Sequence, residues 1–116
     1  MTDGYAMGAA AEPTPEFAAL ATAVGHEFND PRLLKRAMAH RSWCAETPGE
    51  HSNERLEFLG DAVLGGVIAD IAFHQFDTLA EGLLTDLRKS VVNAQALAEV
   101  AAEIGIGASL LLGKGE

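Results

Sequence analysis

The stretch NERLEFLGDAVL, from Asn53 to Leu64, decides the fold class of this chain. Asn53 is a residue type that commonly precedes the first turn of a helix, and the apolar residues after it recur at helical spacing to about Phe76. The pattern predicts one long central helix. Gly65 and Gly66 each cost about 1 kcal/mol in helix propensity relative to alanine, which predicts that another backbone packs close to them. The side chains available to a core are Leu56, Leu59, Val63, Leu64, Val67, Ile68 and Ile71.

Start and stop signals predict further helices on both sides of this one. Residues 1 to 13 have no periodic pattern and are expected to form a flexible leader, so that residues 14–116 make up the folded domain. The predicted segments are a helix opened by Thr14-Pro15-Glu16 and closed by Gly25, a helix from Pro31 ending near His40 to Trp43, a loop from Ala45 to Ser52, a segment from Leu83 to Val92, and a helix from Asn93 through Ile104. Residues 109–116 are expected to form a short turn leading out of the fold.

Composition agrees with an all-α fold. The chain has 116 residues, of which 48% are hydrophobic and only 6% aromatic, and its β-branched residues do not gather into alternating runs. No membrane span and no signal peptide is expected, which predicts a cytoplasmic protein. The net charge of −9 argues against a broad basic surface for nucleic acid. Any contact with nucleic acid would need local basic groups, or metal ions between carboxylates and phosphates.

Three acids of the central helix share one side of it. At about 100° per residue, Glu54, Glu57 and Asp61 fall within an arc of roughly 60°, and we call these three residues the acidic ridge. Like charges at this spacing disfavour a helix by about 0.2 to 0.5 kcal/mol per pair unless a cation offsets them. Mg²⁺ commonly binds through one or two carboxylates plus water and phosphate. Spacing alone nevertheless favours the simpler interpretation, a solvated helix face.

The residues around the ridge resemble a known family. The run from His51 to Leu64 closely resembles the signature of the ribonuclease III family, whose core reads N-E-R-L-E-F-L-G-D. Ala39 to Ser42 is similar to the family's T-H-R-S segment, Glu81 to Arg88 to its E-G-x-L-T-x-L-R segment, and Leu110 to Glu116 to its L-L-L-G-K-G-E segment. The resemblance covers residues from about 16 to 116 in the expected order.

This resemblance implies a helical endonuclease that cuts double-stranded RNA with Mg²⁺, for which Mn²⁺ can substitute, and that acts in ribosomal and messenger RNA processing. It also implies 5′-phosphate and 3′-hydroxyl products and a homodimer formed through the signature helix. By matched position, Glu57 would be a metal ligand, Asp61 a metal-site carboxylate assisting catalysis, and Glu54 an accessory acid near the RNA. We expect Phe58 to serve packing, or else the dimer contact, and His40 to hydrogen-bond the ends of two helices.

The resemblance has a limit at Glu116. Family domains continue into a helix with a D-x-x-E pair that supplies further metal-site acids, and many relatives add a double-stranded-RNA-binding domain. Without that helix we expect weak cleavage and an uncovered apolar surface. The acids Glu99 and Glu103 do not match the pair and are expected to face solvent. Two alternatives stay open: a non-catalytic dimerising module in RNA or ribosome association, and a fragment of a longer reading frame.

Overall fold

The computed structural model describes residues 15–116, so the predicted leader and the predicted cap Thr14 lie outside the described residues. Within 15–116 the chain is helical, with a single isolated bridge between Ala39 and Leu111 and no strand, and the all-α prediction is confirmed. None of these helices is long and apolar enough to cross a membrane. The elements are α1 (Pro15–Val24), α2 (Pro31–Met38), α3 (Arg41–Glu46), α4 (Glu54–Gln75), α5 (Glu81–Val91), α6 (Ala94–Ile104) and a 3-10 turn (Ile106–Ser109).

Local signals place the C-terminal end of α1 and both ends of α6 where the sequence predicts them, and α4 also has nearly the predicted bounds. Gly25 and Gly105 have positive φ angles of 72° and 75°, which glycine adopts without steric cost at the end of a helix. Asn93 caps α6, because its side chain accepts a hydrogen bond of 2.9 Å from the Ala96 N–H. At α4 the cap differs from the prediction, since the Asn53 side chain accepts no such bond.

The second predicted helix is interrupted, so the prediction of one helix reaching His40 to Trp43 was wrong. Helix α2 ends at Met38, Ala39 and His40 are extended, and α3 then begins at Arg41. The extended backbone bonds elsewhere: the Ala39 carbonyl accepts from the Asn53 N–H at 2.9 Å, and the His40 N–H donates to the Leu111 carbonyl at 3.0 Å. We call Ala39 and His40 the corner.

The C-terminal residues run back against the fold, whereas the sequence predicted a turn leading out of it. The Leu111 N–H donates to the Met38 carbonyl at 2.9 Å, and the Gly113 N–H donates to the Ser42 hydroxyl at 2.8 Å. The Lys114 N–H donates to the Glu46 carboxylate at 3.0 Å. These bonds fix residues 111–114 against the corner and α3.

The core is small and lies among α1, α2 and the 3-10 turn. Its buried centre is Phe17, Leu20 and Leu34, surrounded by partly buried apolar residues. Helix α4 packs against α5 but buries only Ala72 fully. The predicted role of α4 as the core helix is therefore only partly correct: Leu56, Leu64 and Ile68 are partly buried, and Leu59, Val63, Val67 and Ile71 are exposed.

The glycine pair of α4 has no close neighbour in the described part of the chain. A Cβ atom added at Gly65 or Gly66 would meet nothing within 4 Å outside the helix itself. The predicted neighbouring backbone is therefore not found within residues 15–116. Together with the exposed apolar residues, the glycines leave one side of α4 uncovered.

Gly113 tests how tightly the C-terminal segment is held. A Cβ atom there would lie 2.7 Å from the Ser42 carbonyl oxygen, a backbone atom that cannot move without shifting α3. We expect Gly113→Ala to lower the free energy of unfolding by about 1 to 3 kcal/mol, as overpacking does. Gly107→Ala is the control, because a Cβ at Gly107 meets nothing within 4 Å. Equal stability of the two variants in urea denaturation would contradict the packing described here.

Asp30 predicts a pH dependence of stability. Its buried carboxylate caps α2 and accepts two bonds of 2.9 Å from the Arg32 side chain, and these bonds lower the pKa of Asp30. The stabilisation is therefore complete above the usual carboxyl pKa of about 3.9 and is lost as the pH falls through the lowered pKa of the folded state. We expect Asp30→Asn, which keeps a capping side chain, to flatten the acid limb of stability against pH in thermal unfolding. The exposed Asp77→Asn should retain the parent's slope.

Candidate functional site

The three acids of the ridge lie together on one exposed side of α4. Glu54 and Glu57 are in its first turn and Asp61 follows one turn later. All three line a shallow surface depression together with Phe58 and Ala62. The arc predicted from the helical period is thus found in the structure. Position near the N-terminus of α4 offsets part of the mutual repulsion, because negative charge is stabilised at that end of the helix dipole.

The ridge acids differ in their partners. The Glu54 carboxylate accepts a hydrogen bond of 2.9 Å from the Ser52 hydroxyl, which fixes it at the start of the helix. Within residues 15–116, Glu57 and Asp61 make no side-chain hydrogen bond or ion pair. Both carboxylates are therefore open to water, to a cation or to a ligand.

The donor set of the ridge fits a hard divalent cation such as Mg²⁺. Carboxylate oxygens are the ligands that Mg²⁺ prefers, and one or two of them suffice when water and phosphate complete the shell. In the described part of the chain, no three His, Cys, Asp or Glu side chains converge on one metal position. The residues present therefore fit part of the ligand set of a metal site, with the carboxylates of Glu57 and Asp61 as its unpaired oxygen donors.

His40 belongs to the scaffold, as the sequence predicts. Its Nδ1 atom accepts from the Ser42 N–H at 3.2 Å and lies 2.7 Å from the Ser42 hydroxyl, so that His40 caps α3. The same hydroxyl accepts from the Gly113 N–H. The Nδ1 atom of His40 is thus part of a structural network that joins the start of α3 to the C-terminal segment. The acids Glu99 and Glu103 are exposed on α6, as predicted.

Phe58 has a place that the sequence interpretation missed. Its side chain is 83% exposed, so the preferred packing role within this chain was wrong. It stands between the acidic ridge and an exposed apolar stripe on the next side of α4, which consists of Leu59, Val63 and Val67. The sequence shows that α4 is apolar around more of its circumference than one core contact needs, which indicates that some apolar residues stay uncovered but not which ones.

Basic groups gather at a second depression beside the start of α4. It is lined by Arg32, Lys35, Arg36 and His51, with Glu50 among them. The Arg32 guanidinium pairs with Asp30, and the Lys35 ammonium lies 3.0 Å from the Glu50 carboxylate. The Arg36 Nε donates to the Ser52 carbonyl at 3.1 Å, which ties α2 to the residues just before the ridge.

Comparisons with known proteins agree with one another. A Ribonuclease-III-like family model matches residues 30–116. The chain is 46% identical over 107 residues to Ribonuclease 3 of Syntrophobacter fumaroxidans and 53% identical over 100 residues to Ribonuclease 3 of Mycolicibacterium paratuberculosis. These alignments cover 90% and 84% of this chain but only 44% and 42% of the two relatives. The chain thus spans less than half the length of these curated relatives.

Solved structures show the same fold. A crystal structure of the nuclease domain of ribonuclease III from Campylobacter jejuni superposes with a TM-score of 0.78 at 37% identity, over 89% of this chain and 67% of that one. A second structure of that nuclease domain has a TM-score of 0.76 at 39% identity, over 84% and 66%, and is described as flexible in a region involved in dimer formation. From the family match, the identities and the shared fold, we conclude that this chain belongs to the ribonuclease III family.

Proposed function

We propose that this chain contributes to a Mg²⁺-dependent endoribonuclease that cleaves double-stranded RNA, with Mn²⁺ as a possible substitute for Mg²⁺. The observation that carries the proposal is the pair Glu57 and Asp61, which is unpaired within residues 15–116 and exposed on the signature helix. A solvated helix face explains exposed acids, but it does not explain why they lie within the segment that this family shares. Family membership therefore favours the catalytic interpretation over the solvated face.

Each acid has a separate proposed role. Glu57 and Asp61 would hold the cation, and Asp61 would also assist the reacting water. Glu54, already fixed by Ser52, would serve as the accessory acid near the RNA. A bound divalent cation supplies Lewis-acid stabilisation of charge on the phosphate and lowers the pKa of water. The contribution of these residues is to present oxygen ligands from one rigid helix, since sites on helices are held more precisely than sites on loops.

Residues 15–116 by themselves offer two free carboxylates at the ridge and no converging third ligand. The remaining ligands would have to come from water, from substrate phosphate or from residues outside the described range. We therefore expect weak metal binding and slow cleavage from these residues alone. The same observation favours the second candidate, a non-catalytic module that dimerises and associates with RNA or the ribosome.

The exposed side of α4 supports a homodimer through this helix. Phe58, Leu59, Val63 and Val67 are each more than half exposed, and the neighbouring Gly65 and Gly66 leave room for close approach of another backbone. A contiguous apolar surface of this kind is typical of a protein interface. The proposed partner is a second copy of this chain. Its proposed location is the cytoplasm, and its proposed targets are ribosomal precursor and messenger RNA.

Glu57→Gln and Asp61→Asn test the catalytic proposal. Each removes a negative charge and keeps the side-chain size, and we expect each to reduce cleavage of long double-stranded RNA in Mg²⁺ by about 100-fold or more, the usual effect of removing one preorganised electrostatic group. The measurement is single-turnover cleavage of labelled RNA. The product ends are then typed by ligation, which requires a 5′-phosphate and a 3′-hydroxyl.

The exposed Glu99→Gln on α6 is the control for this loss of charge, and it should match the parent. Cleavage that survives in both ridge variants would overturn the catalytic assignment. Retention of RNA without any cleavage by the parent would support the non-catalytic module instead.

Phe58→Asp tests the dimer. Placing a carboxylate at the border of the apolar surface, beside the acidic ridge, both removes a large apolar contact and adds like charge, and it should cost about 2 kcal/mol or more, which is about a 30-fold rise in the Kd of the dimer. We expect a shift from dimer to monomer in sedimentation at micromolar concentration. Val100→Asp, at a half-exposed apolar position on α6, is the matched control. A parent that sediments as a monomer would contradict the proposed dimer.

A further inference from the structure

We propose that Asn53 is a positioning residue for the acidic ridge, because its side-chain amide ties the first turn of α4 to the carboxyl end of α2. This inference rests on the proposed function, in which Glu57 and Asp61 bind a divalent cation. It assigns to Asn53 a role distinct from that of a helix cap.

Asn53 makes three hydrogen bonds, two to the end of α2 and one within the first turn of α4. Its side-chain Nδ2 donates to the Ala37 carbonyl at 3.0 Å, and its backbone N–H donates to the Ala39 carbonyl at 2.9 Å. Its own carbonyl accepts from the Glu57 N–H at 2.7 Å. The backbone of Glu57 is thus one hydrogen bond from Asn53, which is itself bonded at two points to the end of α2.

A simple cap does not account for this arrangement. A capping side chain accepts from an N–H of its own helix, and the residue before such a helix usually has extended backbone. Asn53 has φ −83° and ψ 2° and accepts no such bond, whereas the Ser52 hydroxyl accepts from the Glu54 N–H at 3.3 Å. The Asn53 amide instead donates to the Ala37 carbonyl, which is one of the last four carbonyls of α2, and such carbonyls have no partner within their own helix.

The link matters for the ridge because, besides the Arg36 bond to the Ser52 carbonyl, little apolar packing orients the start of α4. Leu56 is only partly buried, and the apolar residues on the next side of the helix are exposed. Rotation of the first turn would move Glu57 relative to Asp61 and to any ligand held elsewhere. Groups that orient a metal ligand typically change metal affinity about 10- to 100-fold when removed.

Asn93 provides a matched control within the same chain. It precedes α6, and its Nδ2 donates to the Lys89 and Ser90 carbonyls at the end of α5, at 2.9 and 3.1 Å. Asn93→Ser therefore removes the same kind of link between consecutive helices, but away from the ridge. Serine is a good cap in both places and is too short to replace the amide donor.

The test is a titration with Mn²⁺ alone of three proteins, the parent, Asn53→Ser and Asn93→Ser. The measurement is the broadening of backbone amide signals in ¹H–¹⁵N spectra as Mn²⁺ is added. In the parent we expect selective broadening of the signals of residues 54–61. In Asn53→Ser, the Mn²⁺ concentration that gives half of the maximal broadening should be about tenfold higher than in the parent. Asn93→Ser should match the parent. Circular dichroism checks that the variants keep their helices.

The outcomes separate the two proposals. Parent broadening that is absent in Glu57→Gln and equal in Asn53→Ser would overturn the positioning role and leave the metal site standing. Equal weakening in Asn53→Ser and Asn93→Ser would also overturn it, since any loose helix junction would then suffice. No selective broadening in the parent would overturn the metal site and the positioning role together.

A second variant covers the case in which Asn53→Ser fails to fold. Asn53→Asp has the same shape and is an equally good cap, but it cannot donate to the Ala37 carbonyl. Its added negative charge attracts Mn²⁺, so weaker binding in this variant would support the positioning role despite that charge. The comparison is repeated at about 1 M NaCl, which screens the added charge beyond about 3 Å, and binding there at least as tight as that of the parent would overturn the positioning role.

Discussion

The arrangement of this domain depends on the two residues at which α2 stops. Backbone groups removed from water must be paired, and Ala39 is only 1% exposed. Because the corner is extended, its groups bond to other segments: the Ala39 carbonyl to Asn53 and the His40 N–H to Leu111. The start of α4 and the C-terminal segment are therefore both fixed by the same two residues. A continuous helix from Pro31 to Glu46 would use these groups internally, and the Asn53 N–H and the Leu111 carbonyl would lose these partners.

How far the sequence predicts this fold depends on how local each determinant is. Gly25, Asn93 and Gly105 act on the backbone next to them, so the ends of α1 and α6 follow from the sequence. The break at Ala39 has no comparable local signal, because no proline or glycine stands there and α2 and α3 both contain good helix formers. Its cause is the pairing with Asn53 and Leu111, which only the tertiary structure brings together. The return of residues 111–114 to α3 escaped prediction for the same reason.

The candidate site shows the same division between local and tertiary determinants. The shared side of Glu54, Glu57 and Asp61 follows from helical geometry alone, and the structure agrees with it. The exposure of Phe58 does not follow, because a periodic apolar pattern tells which side of a helix is apolar but not what covers it. The prediction of Asn53 as a cap likewise used a local signal and could not include the tertiary contact of its side chain. Its residue type fits a cap, but its donor is engaged by a carbonyl of the preceding helix.

Charge explains why the ridge needs a cation if this domain is to approach RNA. A net charge of −9 repels phosphate, and the ridge concentrates three of the acidic groups at the proposed contact. The basic depression on α2 does little to offset this, because Asp30 pairs with Arg32 and Glu50 pairs with Lys35. A divalent cation between carboxylate and phosphate reverses the sign of the local interaction without changing the rest of the surface. Under the proposed function, the cation is therefore required for the RNA to reach Glu57 and Asp61 as well as for the reaction that follows.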